Sequence, residues 1–437
     1  MEPVWLLRAA GPGRKQGSST LSAILTRGRL LRDYQWGMLT PAEAEKMIAE
    51  NLVSFSREDC PLASAHGRVL RADLVADRDL PPFHRVTMDG YALRASSLAA
   101  GLSVFRVEAT QAAGMRAFKL SSGDDACVEV MTGAVIPEGA DCVIPYEETI
   151  REEGTMRVAP ATAVAPGSAV HRRGSDHRAG AVMVRAGTRI TGREIAVAAA
   201  IGAATLTVSA QPKIAVVATG DELVEVDAGV APHQVRRSND HAIRAALMSV
   251  GFDRIERFHL RDVRQEIEHR LWHIIAEHDV VLVSGGVSKG KFDFLPDVLD
   301  AHGVKKLFHG VAQRPGKPFW FGVTQRRTPI FALPGNPVSA YTCLYRYVLP
   351  ALAQASGMKM DTPRLAALAT PFSFKPPLTC FLPVQIASGA GAELLATPHA
   401  TNTSGDFAGL VATDGFIELP AGQVEFPRGY VARFYPW

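Results

Sequence analysis

Three uninterrupted apolar runs mark the middle of the chain: Lys213–Gly220, Asp279–Val283 and Pro329–Leu333. Each stops at turn-forming residues, respectively Gly220, Ser284-Gly285-Gly286 and Pro334-Gly335-Asn336-Pro337. Short apolar runs bounded this way predict strands buried on both faces. Helical spacing lies between them. Ser238–Val250 predicts a helix capped by Ser238 or Asn239 and closed by Gly251. Val263–His278 predicts an amphipathic helix with Ile267, Leu271, Ile274 and Ile275 on one face. Strands alternating with helices predict a parallel α/β sheet over about 212–355. Ligands of such sheets bind beyond the carboxyl ends of the strands, which is where the glycine-rich loops fall.

The flanks read differently. Thr40-Pro41-Ala42-Glu43 is a helix start, and 41–53 predicts a helix. Short apolar runs such as Val104–Val107 and Cys127–Met131, separated by Gly, Pro and Asp, predict a β-rich unit over 76–169. Residues 193–204 read as a helix, and 195–210 as a buried helix running into a strand, too rich in Ala, Gly and Thr for a membrane span. Beyond Gly357-Met358, the prolines at 363, 371, 376, 377 and 383 and the short apolar runs predict a small all-β domain over 360–437.

Composition adds bounds. The 437 residues, 47% hydrophobic and 21% charged, fit a globular protein of about three domains at roughly 150 residues each. A wholly disordered, collagen-like or multi-span membrane chain is excluded. The net charge of +3 resides in the first 38 residues, whose six basic and two acidic groups leave the remainder at −1. A near-neutral body gives no reason to bind nucleic acid, so any anion must be held locally. The first 38 residues lack a continuous apolar segment and make a poor secretory signal. Their Arg/Ser content superficially matches a transit peptide, and a disordered extension is the expectation. Five widely spaced cysteines without a C-x-x-C pair disfavour a disulfide framework or a zinc knuckle and suit a reducing cytoplasm.

Four segments of the α/β region carry candidate chemistry. Thr219-Gly220-Asp221-Glu222-Leu223 puts two carboxylates at a strand end, which suits Mg²⁺ shared with phosphate or, equally, a capped turn. Ser284-Gly285-Gly286-Val287-Ser288-Lys289-Gly290-Lys291-Phe292-Asp293 offers loop N–H groups and two lysines to an anion, with Asp293 for a metal or water. It matches neither the P-loop nor the dinucleotide fingerprint. Arg314-Pro315-Gly316-Lys317-Pro318 is a stiff turn with two cations, suited to an oxyanion. Leu333-Pro334-Gly335-Asn336-Pro337-Val338-Ser339 closes a strand and opens a helix. In the β-rich unit, Thr87-Met88-Asp89-Gly90-Tyr91-Ala92 and Met131-Thr132-Gly133-Ala134 each read as a glycine turn. His269 and His273 lack the Glu of H-E-x-x-H and read as a solvated helix face.

Taken together with Gly174-Ser175-Asp176 and Ser238-Asn239, these segments resemble the molybdopterin molybdenumtransferase family, the MoeA and gephyrin E-domain proteins. They occur in the family's order and cover about 39–437. The resemblance implies an α/β multidomain fold: a parallel α/β sheet domain (212–355), a β-rich inserted domain (76–169), an elongated linking and dimerisation domain (39–75 and 170–211) and a small C-terminal β-barrel-like domain (360–437). It implies insertion of molybdate into adenylylated molybdopterin with loss of AMP, dependent on Mg²⁺, by a cytoplasmic homodimer. Asp89, Thr132, Asp176, Glu222, Asp262 and Asp293 match positions tied to activity. Gly220, Asp221, Ser238, Asn239, Ser284, Gly285, Gly286, Ser288, Lys289, Arg314, Lys317, Pro318, Pro334, Asn336 and Ser339 match the substrate and oxyanion region. Two anions in one site call for a cation between them and the carboxylates, which makes Asp89, Glu222 and Asp293 the expected Mg²⁺ ligands. In the family's dimer the β-rich domain of one subunit faces the α/β domain of the other. Partners implied are a second copy of the chain, molybdopterin adenylyltransferase and cofactor-accepting proteins, with no nucleic acid and no membrane. Arg237 before Ser-Asn, Arg314 as the first cation of its turn, and Lys289 and Lys291 in the Gly-Gly loop depart from the family's common pattern. Two alternatives stand beside this reading, a molybdopterin adenylyltransferase and a non-catalytic anchoring scaffold.

Overall fold

A computed structural model describes residues 38–160, 162–287, 294–360, 362–399 and 405–437. The expected disordered extension, Met38 apart, lies outside the described residues, as do Ser288, Lys289 and Asp293. The chain divides into two compact units, one built from the chain up to Phe55 with Gln211–Trp437, the other from Ser56–Ala210.

The first unit holds the α/β sheet. Its labelled elements are β1 (Ile214–Thr219), α1 (Asn239–Ser249), β2 (Ile255–Leu260), α2 (Arg264–Glu277), β3 (Val280–Ser284), α3 (Leu295–Ala301), β4 (Lys305–His309), β5 (Trp320–Val323) and β6 (Pro329–Leu333). Strand order is β2-β1-β3-β6-β5-β4. The first four are parallel, with Ile214 opposite both Ile255 and Val280, and Val281 opposite Ile330. The sheet is mixed rather than wholly parallel, because β5 pairs antiparallel with β6 and the edge strand β4 pairs antiparallel with β5. The period-2 alternation divides each buried strand between two cores. Ile214, Val216, Val280, Leu282, Phe331 and Leu333 face one side with Ile243 and Leu247 of α1. Ala215, Val217, Val281, Val283, Ile330 and Ala332 face the other with Ile267, Leu271, Ile274 and Ile275 of α2.

The helix Pro41–Asn51 starts on a reciprocal cap between Thr40 and Glu43 and packs Ala44 and Ile48 into the α1 side of this core. After β6 one long helix runs as Pro337–Cys343, a π-helical turn Leu344–Val348 and Leu349–Ala355. Buried Arg346 on the π-turn pairs with Glu45 (2.9 Å) and with Glu418 of the C-terminal domain (3.0 Å). There, Thr379–Ser388, Leu394–Pro398, Arg364–Leu368, Val431–Pro436 and Gly415–Leu419 pair in a ring, closing a small barrel. The short strand Gln313–Arg314 joins it beside Thr379 and Cys380.

The second unit contains a six-stranded sheet in the order Cys142–Pro145, Gly90–Leu93, Ala126–Val130, Val104–Gln111, Thr155–Val158, Thr149–Glu152, with apolar clusters around Tyr91 and Phe105 and around Val86 and Val128. Arg57–Pro61 pairs with Thr205–Ser209, and the helix Gly192–Ala200 starts on a Thr191–Glu194 box. No helix among the described residues is long and apolar enough to cross a membrane.

Candidate functional site

The carboxyl ends of β1, β3 and β6 open into a cleft of about 630 Å³ lined by Thr219, Gly220, Glu222, Arg237, Asn239, Asp240, Asp262, Ser284, Gly285, Gly286, Pro334 and Asn336, among others. The order 2-1-3 makes β1 and β3 the point where the chain's direction across the sheet reverses, and a crevice forms there. Two glycines keep it open. A Cβ on Gly285 (φ +103°) would stand 2.6 Å from the Thr219 hydroxyl, and one on Gly220 (φ +143°) 2.6 Å from the Glu222 carboxylate. Asn239 does not cap α1, nor does the Ser238 side chain, although Ser238 occupies the cap position. The Asn239 amide instead donates to Ser284 Oγ and to the Gly335 carbonyl, both at 2.8 Å, joining the start of α1, the end of β3 and the loop after β6. The His259 ring is 2.9 Å from the Gly220 carbonyl, and Asp221 accepts the Asp262 backbone N–H at 3.1 Å.

One wall is ionic. Asp240 is 0% exposed and receives Arg257 at 3.1 Å and Arg237 at 3.6 Å; Arg237, 6% exposed, also reaches Glu225 at 2.8 Å. Asp240 Oδ1, the Arg237 Nε–H and the Thr219 hydroxyl are buried with no hydrogen-bond partner among the described residues. Buried polar groups are normally paired, so these three make this the part of the cleft wall least satisfied by the protein's own groups.

A second cleft, also about 630 Å³, meets the first at Pro318 and Ser339, which line both. One side is the Arg314–Lys317 turn; the other is the C-terminal barrel, with Phe372, Phe374, Lys375, Phe381 and His399. Gly316 (φ +92°) is required in the turn, since a Cβ there would stand 2.6 Å from Cys343 Sγ. Cys380, also lining this cleft, has its thiol pushed up to about 12 by burial, against the opposing pull of Arg314.

In the second unit Asp89 accepts the Thr132 backbone N–H at 2.6 Å and its hydroxyl at 2.8 Å. Those two bonds, the backbone one first, hold the Asp89 carboxyl below the usual carboxylate range. Gly90 is not in a turn, contrary to expectation: it opens the strand Gly90–Leu93 and is buried, because a Cβ would lie 2.0 Å from the Ile144 carbonyl of the adjacent strand. Gly133 (φ +87°) does turn the chain. Asp176 pairs with His171 at 2.9 Å, and His171 with Arg85 at 3.1 Å, apart from the Asp89–Thr132 bonds.

Of the sequence-predicted residues, Gly220, Glu222, Ser238, Asn239, Asp262, Ser284, Gly285, Gly286, Pro334 and Asn336 meet in the first cleft, with Asp221 beside Asp262. Arg314 and Lys317 meet in the second, and Pro318 and Ser339 border both. Among the described residues no three His, Cys, Asp or Glu side chains are grouped to hold a metal ion. Of the expected ligands, Asp89 lies in one unit, Glu222 in the other, and Asp293 outside the described residues.

Family models match three successive segments: the MoeA N-terminal region (domain I and II) over 39–202, the probable molybdopterin binding domain over 215–354 and the MoeA C-terminal region (domain IV) over 366–437. A molybdopterin molybdenumtransferase of Synechocystis sp. is 39% identical over 401 residues, covering 92% of this chain and all of that protein. The chain belongs to the MoeA family of molybdopterin molybdenumtransferases. A Staphylococcus epidermidis member of the family is 31% identical across 89% of this chain and 93% of its own length. The crystal structure of a molybdopterin biosynthesis moeA protein from Pyrococcus horikoshii superposes with a TM-score of 0.76 at 29% identity, over 91% of this chain and 99% of that one.

Measured against this MoeA-family fold, sequence reasoning missed Asp240 and Arg257, which form the buried ionic wall, and treated Arg237 only as a departure from pattern. Asp240 had a visible signal, a third polar residue directly after Ser238-Asn239. Lys375 and His399 had none, since nothing local relates them to Arg314.

Proposed function

We infer that this enzyme inserts molybdate into adenylylated molybdopterin with release of AMP, the last step of molybdenum cofactor synthesis. The observation that carries the reading is the cleft at the carboxyl ends of β1, β3 and β6, within the segment matched by the probable molybdopterin binding domain. It is large enough for a pterin carrying a pyrophosphate, and polar side chains and glycine-rich loops line it. The second cleft presents Arg314 and Lys317 on a rigid turn, the geometry that suits a tetrahedral dianion. We assign the adenylylated pterin to the first and molybdate to the second, with Pro318 and Ser339 where the two meet. Molybdate or water adds to the pterin-side phosphorus as the phosphoanhydride P–O bond breaks and AMP leaves, and the two dithiolene sulfurs then bond to the metal, displacing one of its oxygens, which departs as water with the two thiol protons. Arg314 and Lys317 lower the cost of bringing one anion to another, and Asn239 keeps the three loops of the first cleft in register.

Mg²⁺ remains part of the proposal. The donors at the cleft mouth, Glu222 and Asp262, are carboxylate oxygens, the chemistry Mg²⁺ accepts from one or two side chains plus substrate phosphates. When bound, the ion would offset negative charge developing on the departing phosphate. The ligand set expected from sequence, Asp89, Glu222 and Asp293, is kept as a proposal together with a cytoplasmic homodimer in which a second copy supplies Asp89 and Thr132. Molybdopterin adenylyltransferase and cofactor-accepting proteins are the proposed partners.

The test is purified protein with adenylylated molybdopterin, Mg²⁺ and molybdate, following AMP by chromatography. Glu222→Ala is expected to retain pterin binding and lose AMP release. Unchanged turnover in that variant refutes the assignment of Glu222, and no molybdate-dependent AMP from the unaltered enzyme refutes the function. Size determination by light scattering checks the dimer.

A further inference from the structure

The turn carrying Arg314 and Lys317 stands on a buried polar pair that the reaction itself does not require. Gln313 is 0% exposed and Tyr347 2% exposed. The Tyr347 hydroxyl donates to Gln313 Oε1, and Gln313 Nε2 donates to the Pro315 carbonyl at 3.2 Å, within the turn itself. The same amide lies 3.5 Å from Cys343 Sγ. On the other side of the turn, Phe319 stacks on the Tyr347 ring with centroids 5.0 Å apart. One tyrosine therefore holds both ends of the segment 313–319.

Tyr347 is aimed there by the π-helical turn Leu344–Val348 of an otherwise α-helical segment. Such turns cluster at functional positions. Burial holds the phenol well above its ordinary pKa, so it stays a proton donor. Two apolar side chains would fill this space without the difficulty of burying an amide and a hydroxyl. What apolar packing does not supply is direction: the hydrogen bond to the Pro315 carbonyl fixes where the turn sits, and packing alone leaves it free to shift.

Resting on the assignment of molybdate to this turn, we propose that Gln313 and Tyr347 are positioning residues for oxyanion binding, a phenol–amide strut that fixes the Arg314–Lys317 turn and sets how tightly molybdate is held. Gln313 borders the second cleft but is 0% exposed, and Tyr347 does not line it, so both act through the turn. Displacements of about 1 Å in such a group cost up to about 10²-fold, and loss of one strut bond should produce a fraction of that.

The experiment measures steady-state AMP release by the full-length enzyme with Mg²⁺, varying molybdate and adenylylated molybdopterin separately, alongside thermal unfolding. Tyr347→Phe is expected to raise the molybdate KM about tenfold, leaving kcat and the pterin KM within about twofold of the unaltered enzyme. The double variant Gln313→Met, Tyr347→Phe removes both polar groups at nearly constant volume. It is expected to recover the unaltered melting temperature and yet keep the raised molybdate KM. Recovery of the molybdate KM in the double variant overturns the proposal and leaves the pair as packing. Equal increases in both KM values in Tyr347→Phe also overturn it. A Lys317→Ala arm separates the two readings: an unchanged molybdate KM there means that the turn is not the oxyanion site, a result that falls on the functional assignment before it reaches the strut.

Discussion

The two clefts of the first unit are equal in volume and opposite in construction. The one at the carboxyl edge of the sheet is made by loops that each close a strand of one framework, and its charged groups are mostly neutralised within the protein: Asp240 by Arg237 and Arg257, Arg237 by Glu225. The one beside the Arg314 turn is made by two separate domains, and its cations sit at the lip, Arg314 exposed and Lys317 half-buried, above aromatic walls. The first is organised to hold a large, hydrogen-bonding ligand in one orientation. The second is organised to attract a small anion. Balanced ion pairs give shape and register, and two cations gathered on one stiff turn give attraction.

The widest separation between the clefts is expected from Lys317→Ala. Removal of a cation aimed at an oxyanion should lower molybdate-dependent AMP release by about 10²–10³-fold, with the melting temperature almost unmoved because the side chain is only half-buried. Saturating molybdate should recover part of the rate. Equal loss of pterin binding, read by fluorescence titration, would break the division of labour between the clefts.

Asp240→Ala should do the reverse. It leaves Arg237 and Arg257 facing each other without the carboxylate between them, and breaking a buried pair costs about 3 kcal/mol. Urea unfolding should show the midpoint falling with the slope unchanged. Asp240→Asn retains the shape and should cost less. Asn239→Ala comes next in size. It removes two hydrogen bonds and leaves Ser284 and Gly335 to find others, at about 1–2 kcal/mol. The pterin KM should rise more than the molybdate KM, since the loops that separate are those of the first cleft.

The same contrast explains what could be read from sequence. Strand ends announce themselves, because a buried apolar run followed by glycine is a local pattern. That pattern alone places Gly220, Gly285 and Pro334 at one edge of the sheet. Asn239 was legible as important but not for what it does: its neighbours Ser284 and Gly335 are far away in sequence, so capping was the only role local reasoning offered. The second cleft was half legible. Its turn is a stiff local motif, whereas its other wall, Phe372 to His399, depends on how the closed barrel docks through Gln313 and Arg314. Strands β4 and β5 were likewise hidden, since β4 is polar at Lys305, Lys306 and His309 and β5 is an apolar run of only four residues.

Asp89 and Thr132 belong to neither cleft of this unit, and the smallest expected effect serves as the control on the comparison. The Asp89 carboxyl is held low by the Thr132 backbone N–H and then by its hydroxyl. A depressed carboxyl favours the ionised form in the folded state, so its contribution is full above the ordinary carboxylate pKa and is lost as pH falls through the depressed value. Thr132→Val removes the hydroxyl and keeps the backbone donor. The Asp89 pKa should rise toward, without reaching, its ordinary value, and the acid limb of kcat/KM should move to higher pH. Thr132→Ser retains the oxygen and should leave the limb in place. A carbon-13 titration of the Asp89 carboxyl reads the shift directly. If Thr132→Val also raised the molybdate KM at neutral pH, where Asp89 is ionised in either variant, the pair would be acting on the oxyanion itself and the attraction could no longer be credited to the Arg314 turn alone.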